Sequence, residues 1–378
     1  MHLLKGPGFL SGGRINSKMS NLVRKNILDI KPYIPGKPIE EVKRELRIKD
    51  IVKLASNENP LGPSPRAVAA MKRVLGQVNR YPDGSCYYFK NALARKFRLK
   101  PENFICGNGS DELIDMIIKT FVAEDEEIIT ADTTFLEYGI IAQTNNRKIT
   151  TVPLRYFKYD LETIRSRINR KTKLIFISNP NNPTGTYVTK YEVEEFFKGL
   201  PQDLIVVFDE AYDLFVDVND FPSSLAYLDK KNVIILKTFS KSYGLAGLRV
   251  GFGISNPEFI QYMDRVRPPF NVNLLAQVAA VGALEDKKFL QRTKRTILKE
   301  KGYLYERLGK LGIAYTPTVS NFILMDTGRD CMEVFKEMLK FGVIVRDMKQ
   351  YGLKNFIRVT IGTRRENERF IKVLKKVL

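Results

Sequence analysis

The sequence predicts an α/β protein built on a doubly wound, mostly parallel sheet, with a smaller α+β domain. Three observations predict this. From about residue 65, segments with apolar residues at helical spacing alternate with short β-rich runs. Several of those runs, LIFIS and LIVVF among them, are apolar at successive positions, as in strands covered by helices on both faces. Near residue 270 the alternation gives way to two long helical stretches. Alternating β and α elements imply parallel strands joined by crossover helices.

Taken in order, PRAVAAMKRVL and YYFKNALARKF read as helices, and Pro65 suits a first helical position. The GNGS turn leads into the helix DELIDMIIKTFV. The strands EIITA, KLIFIS, DLIVVFDEAY, NVIILKTFS and LRVGFGI follow, separated by helical segments. Helices are then expected over about 273–285 and 287–311. After them come the strand NFILMDT, the helix CMEVFKEMLKFG, the stretches VIVRDM and NFIRVTIG, and a basic terminal helix. The expected division is a mobile basic arm at 1–25, a large domain at 56–275, and a small domain made of 26–55 with 276–378. Met19 offers an alternative start inside the arm.

Composition excludes several classes. A chain of 378 residues with 44% hydrophobic and 28% charged content is that of a folded soluble protein, not a disordered one. No apolar run approaches the roughly 18–20 residues of a membrane span, and the first twenty residues lack a secretory pattern, so a cytoplasmic enzyme is expected. The only histidine is His2, which rules out Ser-His-Asp, Cys-His and H-E-x-x-H sites. Cys86, Cys106 and Cys331 have no C-x-x-C spacing, so neither a thiolate metal site nor a disulfide framework is expected. Acid–base chemistry therefore falls to Lys, Tyr, Asp, Glu or a cofactor. The net charge of +20 is spread among acids, as in EEVKRELRIKD, and comes with no nucleic-acid motif. The plain reading is charge spread over solvated faces, with steering of small anions toward a cleft as a milder use.

Four motifs carry candidate chemistry. In KTFSKSYGLAGLRVGFG, Ser240 and Lys241 end an apolar strand, and Arg249 follows eight residues after the lysine. Most lysines are solvated surface charges, but desolvation here would favour the neutral amine that attacks a carbonyl. In FDEAYDLF, Asp209 ends a strand and Tyr212 lies three residues later, at the sheet end where ligands bind in open α/β folds. A carboxylate there can keep a pyridine nitrogen protonated, and a tyrosine can donate to a phenolic oxygen; a surface salt bridge is the plain alternative for the aspartate. SNPNNPTG is turn chemistry, with the Asn182 amide as a candidate donor to a ring oxygen or a substrate anion. GNGSDE precedes a helix, and Ser110 and Asp111 stand either as a cap or as a phosphate cradle.

Together, NENPLGPSP, NRYPDGSCY, GNGSDELI, FLEYG, NPNNPTG, FDEAY, TFSKSYGLAGLRVG, RPPFNVN and IRVTIGT resemble the fold-type I pyridoxal-phosphate (PLP) aminotransferases, and most of all their histidinol-phosphate branch. The ordered set runs from about Asn26 to the C-terminus. The resemblance implies a cycle between pyridoxal and pyridoxamine phosphate, moving an amino group between histidinol phosphate and 2-oxoglutarate. It makes Lys241 the imine-forming, proton-moving residue, Asp209 the partner of the pyridinium nitrogen, and Tyr212 and Asn182 the partners of the ring oxygen. Ser240, Arg249 and the backbone of Ser110 and Asp111 would hold the cofactor phosphate. Tyr81 would reach the cofactor of a second subunit, which implies a homodimer with shared sites. Phe135 would stack on the ring, with Tyr138 close enough in sequence to compete for that place. Tyr33, Asn182, Arg346 and Arg358 would bind the anionic end of the substrate. Thr133 and the pair Arg364-Arg365 depart from the family pattern and bear on loop shape. An aromatic amino-acid aminotransferase, a threonine-phosphate decarboxylase and a basic nucleic-acid-binding regulator are the alternatives. Too few residues precede Asn26 for the DNA-binding domain that such regulators carry.

Overall fold

A computed structural model describes residues 18–230 and 232–378. It contains β1 (Val52–Lys53), β2 (Phe104–Gly107), β3 (Glu127–Ala131), β4 (Lys148–Val152), β5 (Thr172–Ser178) and β6 (Ile205–Asp209). The later strands are β7 (Val233–Thr238), β8 (Gly251–Ile254), β9 (Phe322–Asp326), β10 (Val343–Ile344), β11 (Arg346–Asp347) and β12 (Phe356–Thr360). Seven of them form one sheet in the order β2-β8-β7-β6-β5-β3-β4. Within it β8 runs antiparallel to both neighbours, and the pairs from β7 across to β4 are parallel.

The apolar runs split by parity. Ile175, Ile177, Val206, Phe208, Val233 and Ile235 enter the core on one face, with the helices Tyr87–Phe97 and Leu274–Glu285. Leu174, Phe176, Ile205, Val207, Ile234 and Leu236 enter the core on the other, beneath the helix Ser110–Phe121. Each strand is thus apolar at every position because each position has a helix to meet. The same parity sends Asp209 to the face of Val207 and Glu210 to the face of Phe208, which matters below.

After the sheet, helices Leu274–Glu285 and Lys287–Lys310 match the expected spans. A second, antiparallel sheet follows in the order β11-β12-β9, with its own core around Phe322, Met325, Val359 and Phe370. VIVRDM, read as one stretch, divides between two sheets: β10 pairs with β1, and β11 with β12. Three short strands, β1, β2 and β4, escaped the sequence reading; β1 has only two residues. FICG is too short to show a period, and KITTV lies at the sheet edge, where polar residues face solvent. Arg364 takes the first position of the helix Arg364–Val377, whose capping box is Thr363 with Glu366. Its guanidinium bonds Glu300 and lies 3.7 Å from the Tyr303 ring, so the departure there is accommodated locally. Of the expected basic arm, residues 1–17 lie outside the described residues; Lys18–Leu22 is a short 3-10 helix, and the Asn26 amide donates to the Gln143 carbonyl at 2.7 Å. Among the described residues, no helix is long and apolar enough to cross a membrane.

Candidate active site

The parallel strands β5, β6 and β7 are neighbours, and their carboxyl ends deliver Asn182, Asp209 and the pair Ser240–Lys241 to one crevice. Asp209 is buried, and no basic side chain among the described residues lies within ion-pair reach of it. One carboxylate oxygen accepts the Tyr138 hydroxyl at 2.8 Å and the other the Ala211 amide at 3.2 Å. Burial pushes its carboxyl up to about 6, although those two donors hold it back. Tyr138 is fully buried, stacks on Phe176 at 4.6 Å and serves this carboxylate from below. Phe135, half-buried, meets Tyr138 edge-on at 5.6 Å.

Lys241 is half-buried, and its amine donates to the Ser56 carbonyl at 3.0 Å. Burial, then the charge of Arg358, pull that amine down to about 8. Both effects disfavour the ammonium form. Beside it, Arg249 reaches Ser240 Oγ at 3.4 Å and the Asp111 carboxylate at 2.9 Å. Gly109 caps the helix Ser110–Phe121 at φ 84°, where a Cβ would stand 2.6 Å from the Arg249 guanidinium. A Cβ at Gly251 would stand 2.8 Å from the Ser110 amide nitrogen. The positive φ at Gly109 and the backbone contact at Gly251 call for glycine, and together they gather a guanidinium, a hydroxyl and a helix N-terminus into an anion cradle.

Opposite lie Arg346 and Arg358, both buried. They are direct cross-strand partners in the β11–β12 register. Arg358 donates to the Asn182 side-chain oxygen and to the Ala55 carbonyl at 2.9 Å, while its buried Nε has no partner. Arg346 donates to the Ile34 carbonyl at 2.6 Å and Gln350 at 3.1 Å, and its guanidinium lies 5.3 Å from the Tyr33 ring. No ion pair to Asp347 or Glu366 forms. Tyr212 is buried, and its hydroxyl accepts from the Asn57 amide at 2.9 Å. Tyr81 stands apart: it is 82% exposed and stacks on Phe270 at 4.6 Å.

With this geometry in place, the family follows from comparison. The model of the family "Aminotransferase class I and II" matches residues 49–374. The chain is a class I and II aminotransferase. It is 52% identical to the histidinol-phosphate aminotransferase of Moorella thermoacetica, over 94% of this chain and 92% of that one. It is 44% identical to the enzyme of the same name from an Anaeromyxobacter species, over 94% and 99%. Among solved structures, the histidinol-phosphate aminotransferase of Sinorhizobium meliloti, in complex with pyridoxal-5'-phosphate, superposes with a TM-score of 0.85 at 26% identity, covering 94% and 97%.

Around these residues the aminotransferase also places some that sequence reasoning did not single out. Ser56, Asn57 and Ala55 lie in one segment whose carbonyls and amide reach Lys241, Tyr212 and Arg358. The motif NENPLGPSP carried part of the family resemblance, but no role for its residues was read from it. Gln350 joins the site through Arg346, four residues before it, and Tyr138, which the sequence offered as a rival to Phe135 for the ring, bonds Asp209, 71 residues away.

Proposed function

We propose that this aminotransferase moves the amino group of L-histidinol phosphate to 2-oxoglutarate, with pyridoxal 5'-phosphate held in the crevice, as a step of histidine biosynthesis. The observation that carries the substrate is the Arg346–Arg358 pair. Two like charges set directly opposite on an antiparallel ladder repel, and neither has a carboxylate partner among the described residues. A phosphate dianion between them would supply the missing charge, and planar guanidinium forks suit its oxygens.

The donor set fits the cofactor. A buried carboxylate with no cation beside it, Asp209, suits a protonated ring nitrogen. The cradle of Ser110, Asp111, Ser240 and Arg249, kept open by Gly109, suits a phosphate ester. When bound, pyridoxal phosphate supplies an aldehyde that captures the substrate amine and a ring that stores the electron pair left by a departing proton. The residues do the rest. Lys241 would hold the group until substrate arrives and would then move the proton from the amine-bearing carbon to the aldehyde carbon, a transfer its lowered basicity suits near neutral pH. Asp209 would keep the ring nitrogen positive, Tyr212 and Asn182 would donate to the ring oxygen, and Phe135 would cover the ring. Tyr33, Asn182, Arg346 and Arg358 orient the substrate's anionic end.

The same reading takes 26–55 with 276–378 as a small domain closing on 56–275. It also takes the chain as a homodimer, the exposed Tyr81 completing a second copy's site. A cytoplasmic setting agrees with three unpaired cysteines. The decisive test is Arg346→Ala, assayed with histidinol phosphate and with phenylalanine, each with 2-oxoglutarate. kcat/KM should fall by about 10- to 100-fold for the phosphate substrate, the worth of a charge-assisted bond, and far less for phenylalanine. Equal losses would point to an aromatic amino-acid enzyme.

A further inference from the structure

Tyr212 has one hydroxyl proton to give, and where it goes depends on what its oxygen accepts. The oxygen accepts from Asn57 Nδ2 at 2.9 Å, and no protein acceptor among the described residues takes the proton. Asn57 is 1% exposed and sits at φ 56°, the left-handed region that Asn tolerates better than other side chains. Its surroundings fix which way the amide faces. The Asn57 backbone N–H donates to Thr360 Oγ1 at 2.9 Å, and that hydroxyl in turn donates to Asn57 Oδ1 at 3.3 Å. The Asn57 carbonyl is taken by the Asn321 amide at 3.0 Å. With Oδ1 accepting from Thr360, the NH2 end faces the phenol.

We propose that Asn57 is a positioning residue for Tyr212: by donating to the phenol oxygen it commits the Tyr212 hydroxyl to donate into the crevice. The inference rests on the reading above, in which that proton meets the ring oxygen of pyridoxal phosphate. A donor there favours the ring oxygen's anionic form, and so lowers the pH at which the lysine-bound cofactor loses its proton. Arg358, Asp209 and Asp111 are the charges that face Tyr212; Arg358, Asp111, Glu58 and the Tyr33 hydroxyl face Lys241.

The test is an absorbance titration of the lysine-bound cofactor in the purified holoenzyme, without substrate. Gly and Asp both tolerate the left-handed backbone, so Asn57→Gly removes the amide and Asn57→Asp replaces its donor with an acceptor. Asn57→Gly should raise the titration midpoint by about 0.5 to 1 pH unit, the worth of one hydrogen bond. Asn57→Asp should raise it further, because its carboxylate claims the phenol proton. In a Tyr212→Phe background, itself shifted upward, Asn57→Gly should add nothing. A wild-type midpoint in folded Asn57→Gly, or an equal shift with and without the Tyr212 hydroxyl, overturns the inference. Should Asn57→Gly fail to fold, the near-isosteric Asn57→Asp with its Tyr212→Phe control decides alone: a shift of the same size in both is charge, not positioning. A colourless wild-type protein would sink the cofactor reading, whereas a coloured one with no such coupling sinks only the role of Asn57.

Discussion

Lys237 and Lys241 stand four residues apart at the end of β7, and their chemistry is opposite. Lys237 is buried on the face of Val233 and Ile235, where its amine meets the Glu210 carboxylate at 2.6 Å and that of Asp213 at 2.5 Å. Burial alone would pull it down, but those two carboxylates push it well above the usual lysine range. Lys241 has turned off the strand into the crevice, with a carbonyl and Arg358 for neighbours and no acid in contact, and falls to about 8. The acids divide the same way: Glu210 is paired on one face of β6, and Asp209 is unpaired on the other. Strand parity alone separates them. The lesson is that burial does not mark a reactive group; burial without a counter-ion does.

The largest effects should come from the two lysines and should differ in kind. Lys241→Ala is expected to reduce transamination at least about a thousandfold, as for loss of a proton-transferring residue, with melting little changed. Lys237→Ala strands the buried Glu210 carboxylate and the half-buried one of Asp213, and should cost about 3–5 kcal/mol of stability in denaturant titrations. The folded fraction of that variant should still take up cofactor. Lys237→Met together with Glu210→Gln and Asp213→Asn removes all three charges and should regain most of the loss. Similar phenotypes for the two single variants would break the comparison.

Asp209→Asn sharpens it from the acid's side. Asp209 has a folded value of about 6 against an ordinary 3.8, so the native state holds more protons than the unfolded chain between those values. Stability therefore falls as pH rises through that window, and the cost stays in full above it. Cofactor-free Asp209→Asn should accordingly unfold on the order of 2–3 kcal/mol later than wild type at pH 8, with the gain gone below about pH 4. With cofactor the order should reverse, because the ring nitrogen loses its counter-ion. A cofactor-free Asp209→Asn less stable than wild type at pH 8 would contradict the unpaired burial. The smallest effect is that of Tyr138→Phe, which removes one donor to the Asp209 carboxylate. It should raise the Asp209 carboxyl by about 0.5 to 1 unit, read by carboxyl NMR on the cofactor-free protein.

Much of this was legible in the chain. The apolar runs around Phe176, Val207 and Ile235 report burial on both faces, and the motifs around Asp209, Lys241 and Arg249 fall at strand ends where a crevice must form. The parity that hides Glu210 with Lys237 is also written there, but it means nothing until the neighbouring strand supplies the partner. What could not be read was pairing across long separations. The Asn57 amide finds Tyr212 155 residues away, Tyr138 finds Asp209 71 residues away, and the facing of Arg346 with Arg358 depends on one register between two short strands. Sequence names the chemical groups; only the assembled sheets say which of them lack a partner.

One lysine, lowered by burial without a counter-ion, is the one expected to capture an aldehyde. Incubating the cofactor-free protein with pyridoxal phosphate, reducing with borohydride and mapping the peptides by mass tests this directly. A single phosphopyridoxyl adduct on Lys241 is expected, with capture reaching half its maximum near pH 8 and Lys237 unmodified. An adduct centred on any other lysine, or none in the folded protein, would contradict it.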